Sequence, residues 1–273
     1  MKKQIIISLS ILLCGVIQSQ EKGSFLHFNV GSGLNTLSYK LLDGTQKGQA
    51  GYTLNAAYSY FFTPHWGIQS GIGMQSFRSL SIQNDLSSDP DIDTDGQTYE
   101  FRTYTKNWQE KQQVLFVDIP LELQYKHSFS KKFGIIASAG AKLSYPIHAS
   151  YKTSGGTLTT SGYYSQWDIE LNDMPQHGFS TYTDFNGNSS LKPTYMGIAE
   201  LGGTYKLSEK MDLYLGGYYN LGLNNVLKPG TAQLYQPDGV YNGVFATPQA
   251  KDVRPYSIGI KVGIYLKMCK KEA

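Results

Sequence analysis

The run Val117-Asp118-Ile119-Pro120-Leu121-Glu122-Leu123-Gln124-Tyr125 alternates apolar and polar side chains without a miss. Successive side chains of a strand point to opposite faces, so the run predicts a strand that is oily on one flank and polar on the other. The same period of two recurs along the chain and predicts eight strands. They run from about Ser24 to Tyr39, Gly51 to Phe62, Trp66 to Leu80, and Gln113 through Tyr125. The remaining four cover about Phe133 to Tyr145, Thr194 to Leu207, Met211 to Leu223 and Val253 to Lys267.

The connections fall into two kinds that alternate strictly. Thr63-Pro64-His65, the stretch from His127 to Lys132, and Ser208-Glu209-Lys210 are short and rich in turn formers. The other four, roughly 40–50, 81–112, 147–193 and 224–252, are long. Such alternation belongs to a barrel with one tight rim and one elaborated rim, and it places both chain ends at the tight rim.

Period two alone does not say which flank faces outward, because a soluble barrel buries its oily flank and alternates in the same way. Three features favour the inverted arrangement of a barrel in lipid. The polar flank mixes Gly and Ser with Asp, Glu and Lys, which suits a narrow hydrogen-bonded interior. Aromatics gather at strand ends: Phe61, Phe62, Trp66, Tyr125, Phe133 and Tyr205 toward the tight rim. Tyr39, Tyr52, Phe77, Phe116, Tyr145, Tyr195 and Tyr256 form the corresponding set toward the other, as two bilayer interfaces select. Third, the chain opens with a secretory signal: Lys2 and Lys3, an apolar run from Ile5 to Ile17, and a cleavage region near residue 19 or 20. The expected fold is all-β: an eight-stranded antiparallel up-and-down transmembrane barrel over residues 21–273, behind a signal peptide at 1–20. It carries four long extracellular loops and three short periplasmic turns, in the outer membrane of a Gram-negative bacterium.

Composition agrees. The 273 residues include 21 Tyr and 29 Gly, and no later stretch is apolar for long enough to make a membrane helix. Losing residues 1–20 removes two lysines and no acid, which lowers the formal charge from +3 to +1 and leaves nothing to attract nucleic acid. The processed chain keeps only Cys269, in a Lys-rich tail, so it forms no internal disulfide.

The runs at 117–125, Tyr214-Leu-Gly-Gly-Tyr-Tyr-Asn-Leu-Gly-Leu223 and Ser257-Ile-Gly-Ile-Lys-Val-Gly-Ile264 resemble the PorT-like, "porin family" outer-membrane β-barrel proteins of the Bacteroidota. More broadly the chain is similar to small OmpA- and OmpX-type barrels. The resemblance implies location and fold, and molecular function only weakly. Pro120 within the Ile-Pro pair marks a bulge or a locally unpaired position, because proline has no N–H to give the ladder. The ending Tyr265-Leu266 followed by Lys-Met-Cys-Lys-Lys-Glu-Ala departs from the terminal aromatic common in such barrels.

Three constellations could carry chemistry. Asp118, Glu122, Lys142, Glu200, Lys206, Asp212 and Lys261 all fall on the polar flank, so they are expected to form a lumen charge network, with Glu122–Lys142 as its leading pair. The functional alternative is an ion path or proton relay, although eight strands leave an interior only wide enough for side chains. Asp91, Asp93, Asp95 and Glu100 lie around the run Asp89-Pro90-Asp91-Ile92-Asp93-Thr94-Asp95-Gly96. Position twelve from Asp91 is Arg102, which excludes an EF-hand and leaves a looser Ca²⁺ site or a solvated acidic loop. Among the histidines no pair has zinc spacing, and His148 with Asp168 or Asp184 is the one combination that could serve an enzyme at the long-loop rim.

These readings favour a non-enzymatic integral outer-membrane protein that anchors surface loops for binding, adhesion or envelope integrity. Its expected partners are outer-membrane lipid and lipopolysaccharide, with a glycan or protein ligand taken by the Tyr- and Ser-rich loop at 147–193. The alternatives are a narrow channel, a component of a secretion or uptake assembly, or a barrel enzyme acting on lipid or peptide at the outer leaflet.

Overall fold

The computed structural model describes residues 23–228 and 230–268. The signal segment at 1–20 and Cys269 with its Lys-rich tail lie outside the described residues. Eight long strands form the wall: β1 (Ser24–Leu41), β2 (Ala50–Phe61), β3 (Trp66–Ile92) and β4 (Thr98–Ser128), then β5 (Phe133–Tyr164), β6 (Thr194–Lys206), β7 (Met211–Gly222) and β8 (Ala250–Met268). Each pairs antiparallel with its sequence neighbour, and β8 returns to β1 through a ladder from Ser24↔Met268 to Leu41↔Ala250. The sheet is therefore closed and leaves no free edge at barrel level.

The oily flank faces outward. Leu121, Leu201, Leu215 and Ile260 are each 60 % or more exposed, while Asp118, Glu122, Lys142 and Lys261 on the opposite flank are buried. On β4 the outward apolar positions run from Leu115 to Tyr125, about the length a tilted strand needs to cross a hydrocarbon layer. Phe62, Trp66 and Phe133 at one end of this band, and Tyr52, Tyr145 and Tyr195 at the other, are exposed as interfacial girdles.

Four aromatics expected in those girdles sit elsewhere. Phe61 is packed inside the tight rim with Phe25, Ile136, Tyr214 and Tyr265, and Tyr39, Phe77 and Phe116 are buried inside the other end. Their strand positions have inward parity, so nearness to a strand end said nothing about the face they occupy. Pro120 does interrupt a ladder. The β3–β4 pairing skips from Ser70↔Leu121 to Gly73↔Asp118 without a change of register, and Ser70 Oγ donates to the Pro120 carbonyl at 2.8 Å.

The long connections differ most from expectation. Residues 81–112 are no loop: β3 and β4 continue as a ribbon and reverse only around Asp93–Gln97. β5 likewise runs on to Tyr164, so three strands rise above the barrel as one sheet. At its base the β4–β5 ladder is bulged where Asn107 has a positive φ of 48°. Gly156 opposite has φ 82°, and a Cβ there would fall 2.2 Å from the Asn107 carbonyl oxygen, so only glycine fits. The β5 edge of this sheet is covered by short strands Asn186–Asn188, Thr181–Tyr182 and Ile169–Leu171. The β3 edge is covered by Thr45–Gly48 only as far as Ile82, and beyond it no strand pairs there among the described residues.

Candidate functional site

From the tight rim upward the interior is layered: apolar, charged, apolar, then a polar latch beneath an aromatic dome. Alternation places Gln69 and Gln75 of β3, Asp118, Glu122 and Gln124 of β4, Ser138 and Lys142 of β5, and Asn220, Ser257 and Lys261 of the closing strands in the charged layer. Lys142 Nζ donates to Asp118 Oδ2 at 2.6 Å and to Gln75 Oε1 at 2.6 Å. Lys261 is ion-paired with Glu200. Glu122 accepts from Gln69 Nε2 at 3.1 Å and from the Ser138 hydroxyl. Gly140 stands opposite Glu122, and a Cβ there would lie 2.1 Å from the Leu121 carbonyl oxygen, so the position keeps the wall close beside the carboxylate.

The seven charges expected in the lumen fall into two groups, and the leading pair differs from Glu122–Lys142. Asp118, Glu122, Lys142, Glu200 and Lys261 meet in one layer around a void of about 20 Å³, room for about one water. Lys142 pairs with Asp118 and not with Glu122, because both acids are its diagonal neighbours across the sheet and Glu122 is held by Gln69 and Ser138. Lys206 and Asp212 belong to the tight rim instead. Lys206 pairs with Glu209 at 3.0 Å, and Asp212 lies 3.9 Å from Lys126.

Above the charged layer, the connection between β7 and β8 plugs the barrel. Val226, Leu227, Val244 and Phe245 pack against Leu37, Phe77, Val114 and Phe116 of the wall. Asn225 fixes the entry of this plug, since its Oδ1 accepts from the amides of Leu227 and Val253, both at 3.0 Å. Glu110 fixes its exit. This carboxylate is buried on β4 and accepts from the Tyr241 hydroxyl at 2.5 Å, the Val244 amide at 3.0 Å and Gln112 Nε2 at 3.1 Å. Tyr241 in turn accepts from Trp108 Nε1 at 2.9 Å. The outward neighbours at this height are Gln109, Lys111 and Gln113, so Glu110 lies above the oily band. Burial pushes its carboxyl up from the ordinary range, against the opposing effect of the hydrogen bonds from Tyr241, Val244 and Gln112.

The dome is an aromatic core between the sheet and the connections that fold over it. Tyr99, Phe101, Trp108, Tyr151, Leu158, Tyr164 and Phe179 form it with Tyr235 and Tyr241 of the plug connection. Phe185 stacks on Tyr241 with ring centres 4.5 Å apart. The outer face of the same sheet carries Leu86 opposite Tyr104, both exposed, and Arg102 stacked 3.8 Å above the Tyr163 ring. Arg102 is also paired with Glu100 at 3.0 Å and with Glu170 at 3.7 Å.

The acidic run does not converge on a cation. Asp91 accepts from the Tyr99 hydroxyl at 2.9 Å. Asp93 accepts from the amides of Asp95 and Gln97 at 3.0 and 2.8 Å, and from the Tyr164 hydroxyl at 3.0 Å. Glu100 turns to the other face, toward Arg102 and Ser88. Among the described residues no three His, Cys, Asp or Glu side chains are grouped as around a metal ion, and the Asp91, Asp93, Asp95 and Glu100 of the looser Ca²⁺ expectation are spread over separate hydrogen bonds. The histidine combination also fails to assemble. Asp168 accepts from Tyr163 at 2.8 Å and Asp184 from Thr153 at 3.5 Å, and His148 bonds to neither. Glu110 and the plug are what the sequence reading missed. Their available signal was an acid on the same parity as Trp108, Val114 and Phe116.

Residues 18–228 match the family model described as an outer membrane protein beta-barrel domain. No curated protein sequence matches the chain. Among solved structures, OprG from Pseudomonas aeruginosa is 14 % identical, with 90 % of this chain and 98 % of that one covered and a TM-score of 0.40. Neisserial surface protein A is 10 % identical, covering 90 % of this chain and 97 % of its own, with a TM-score of 0.39. Ail of Yersinia pestis, solved with the heparin analogue sucrose octasulfate, is 11 % identical over 91 % of this chain and 100 % of its own, with a TM-score of 0.33.

Proposed function

Because the chain belongs to the outer membrane protein beta-barrel domain family, we propose that it works by display: the barrel is a sealed anchor, and the three-stranded sheet above it is a recognition surface. The finer placement among PorT-like barrels of the Bacteroidota, and export behind a cleaved signal at 1–20, belong to the same proposal and rest on the sequence runs that suggested them. One observation carries the reading. The interior is blocked at three levels by side chains and by the plug, while the packed material outside the oily band is invested in a dome with its own aromatic core. A wall that conducts nothing but holds a rigid ribbon is suited to presenting that ribbon.

The surface consists of Leu86 and Tyr104, the Arg102–Tyr163 stack and exposed Trp167, a mix of aromatic anchors and polar contacts suited to a glycan or a protein surface. Among the described residues of the dome no hydroxyl or thiol is hydrogen-bonded to a histidine, and Ser161 meets the Glu170 carboxylate with no histidine between them, which favours binding over catalysis. Two measurements test the reading together. In planar bilayers the purified protein is expected to give no steady conductance, and a stable open level would shift the assignment to a channel. Cells displaying the protein are expected to adhere to glycan- or protein-coated surfaces, and the triple variant Leu86→Ala, Tyr104→Ala, Trp167→Ala to lose that adhesion with surface expression unchanged. Undiminished adhesion by the triple variant would remove the ribbon from the account.

A further inference from the structure

The periplasmic mouth of the barrel holds a feature that the display reading does not use. Lys126, Lys131, Lys132, Lys206, Lys210 and Lys267 line one cleft of about 160 Å³ inside the tight rim. Two carboxylates, Glu209 and Asp212, share it, and Lys206 and Lys126 engage them. The other four ammonium groups have no acidic partner among the described residues. Such a concentration of one sign in a concave site recruits anions. The inner end of the cleft is closed by Phe25, whose ring centre lies 4.4 Å from Lys126 Nζ and which belongs to the apolar layer with Phe61 and Tyr265. It is a blind pocket and not the start of a path.

Two further features distinguish the cleft from a chance gathering of surface lysines. The backbones that carry four of the six lysines are joined across the rim: the Lys206 amide donates to the Lys132 carbonyl and the Lys267 amide to the Lys210 carbonyl, both at 2.8 Å. Ser130 Oγ holds the first of these turns by accepting from the amides of Lys132 and Phe133 at 3.2 and 3.0 Å. The second feature is Thr204, which lines the cleft on a residue only 7 % exposed and whose hydroxyl is hydrogen-bonded to nothing among the described residues. Gly134 is paired with it across β5 and β6, and a Cβ there would stand 3.0 Å from Thr204 Oγ1, so the glycine keeps space beside that hydroxyl open. A buried hydroxyl without a partner, beside four uncompensated ammonium groups, is a donor set waiting for an acceptor.

We propose that this cleft binds a soluble phosphate-bearing anion of the periplasm, with the phosphate among the ammonium groups and one of its oxygens accepting from the Thr204 hydroxyl. Charge and donors set the class. Lysines serve a phosphate as point charges, and the hydroxyl adds one directed donor to an ionised acceptor. Location sets the source. The cleft opens on the inside of the wall, and the paired Gly134 and Thr204 stand between it and the lipid-facing flank, so a headgroup anchored in the bilayer lies on the far side.

The test uses the full processed chain in phosphatidylcholine nanodiscs, titrated calorimetrically with pyrophosphate at pH 7 and constant ionic strength. The wild type is expected to show saturable binding of one anion per barrel. Lys132→Gln with Lys210→Gln is expected to weaken it by roughly tenfold or more, and Thr204→Val by about tenfold, with heat-modifiable gel migration showing that each barrel has folded. Lys111→Gln, above the oily band, is expected to leave the affinity unchanged. Absence of saturable binding by the wild type would overturn the proposal, as would a loss in Lys111→Gln as large as that in the rim variant. Wild-type affinity in folded Thr204→Val would reduce the cleft to diffuse surface charge. Equal affinity for succinate would replace the phosphate class by any dianion, and loss of pyrophosphate binding when phosphatidic acid is added to the disc would move the ligand to a lipid headgroup.

Discussion

The lower and upper halves of β4 obey opposite rules. From Tyr125 to Leu115 the outward positions are apolar and the inward ones, Gln124, Glu122 and Asp118, are polar. From Gln113 upward the outward positions, Gln113, Lys111 and Gln109, are polar, and inward the latch residues Gln112 and Glu110 give way to the fully buried ring of Trp108 and the aromatic dome. The strand does not turn over at this point, since its parity is continuous; only the solvent outside it changes. In lipid, apolar surface gains nothing by hiding, so the oily flank faces out and the backbone is satisfied by closing the sheet. In water the usual hydrophobic drive returns, and the same strand buries its aromatics. One continuous element therefore records where the membrane ends, between Leu115 and Gln113.

Several variants would break or sharpen this contrast. Trp108→Ala removes a fully buried ring from the dome and should cost about 3–5 kcal/mol. Its effect should stay local, so protease should cut the dome while heat-modifiable migration of the barrel persists. Leu121→Arg should destabilise the barrel by about 2–4 kcal/mol, measured by urea unfolding in lipid vesicles, because it sets a charge on the lipid flank. Tyr104→Arg on the exposed outer face of the ribbon should change stability by less than about 0.5 kcal/mol in the same assay. If both arginines were equally harmful, the assignment of the boundary would fail.

Glu110 supplies a pH test of the latch. Its carboxyl is raised by burial, so the attachment it makes is fully present below the ordinary glutamate range and is lost as pH rises through the raised value. Hydrogen exchange at the Val244 amide should accelerate with pH beyond the intrinsic rate, and Glu110→Gln should abolish that excess. The smallest effect concerns the uncovered β3 edge, where inward-facing Asp85, Asp89 and Asp91 together with Pro90 blunt strand addition. Asp89→Thr with Pro90→Val should raise self-association in detergent, read by size-exclusion chromatography. A strictly monomeric profile would mean that the edge needs no guard.

The barrel was legible because the oily flank repeats with period two through every crossing, and the strand starts at Ser24, Trp66, Phe133, Thr194 and Met211 agree with the structure. The upper halves of β3, β4 and β5 were not legible to that template. Tyr99, Phe101, Thr103 and Thr105 alternate cleanly with Glu100, Arg102, Tyr104 and Lys106, but in the phase of a soluble sheet, with the apolar set inward. A reading keyed to lipid-facing residues ends where that phase reverses, near Gln113. The plug was hidden for another reason. Val226, Leu227, Val244 and Phe245 are scattered through an irregular connection, and only the fold brings them together. The charge layer was found by face, but its partners were not, since parity cannot choose between two diagonal neighbours of Lys142.

The plug also has a consequence for biogenesis. It comes from the last long connection and is pinned to Val253 of β8, the strand that also closes the sheet onto β1. Without the plug, Leu37, Phe77 and Phe116 would line an open, greasy vestibule. Seam and stopper share one strand, and a chain stalled before its final hairpin would betray itself by that sticky throat.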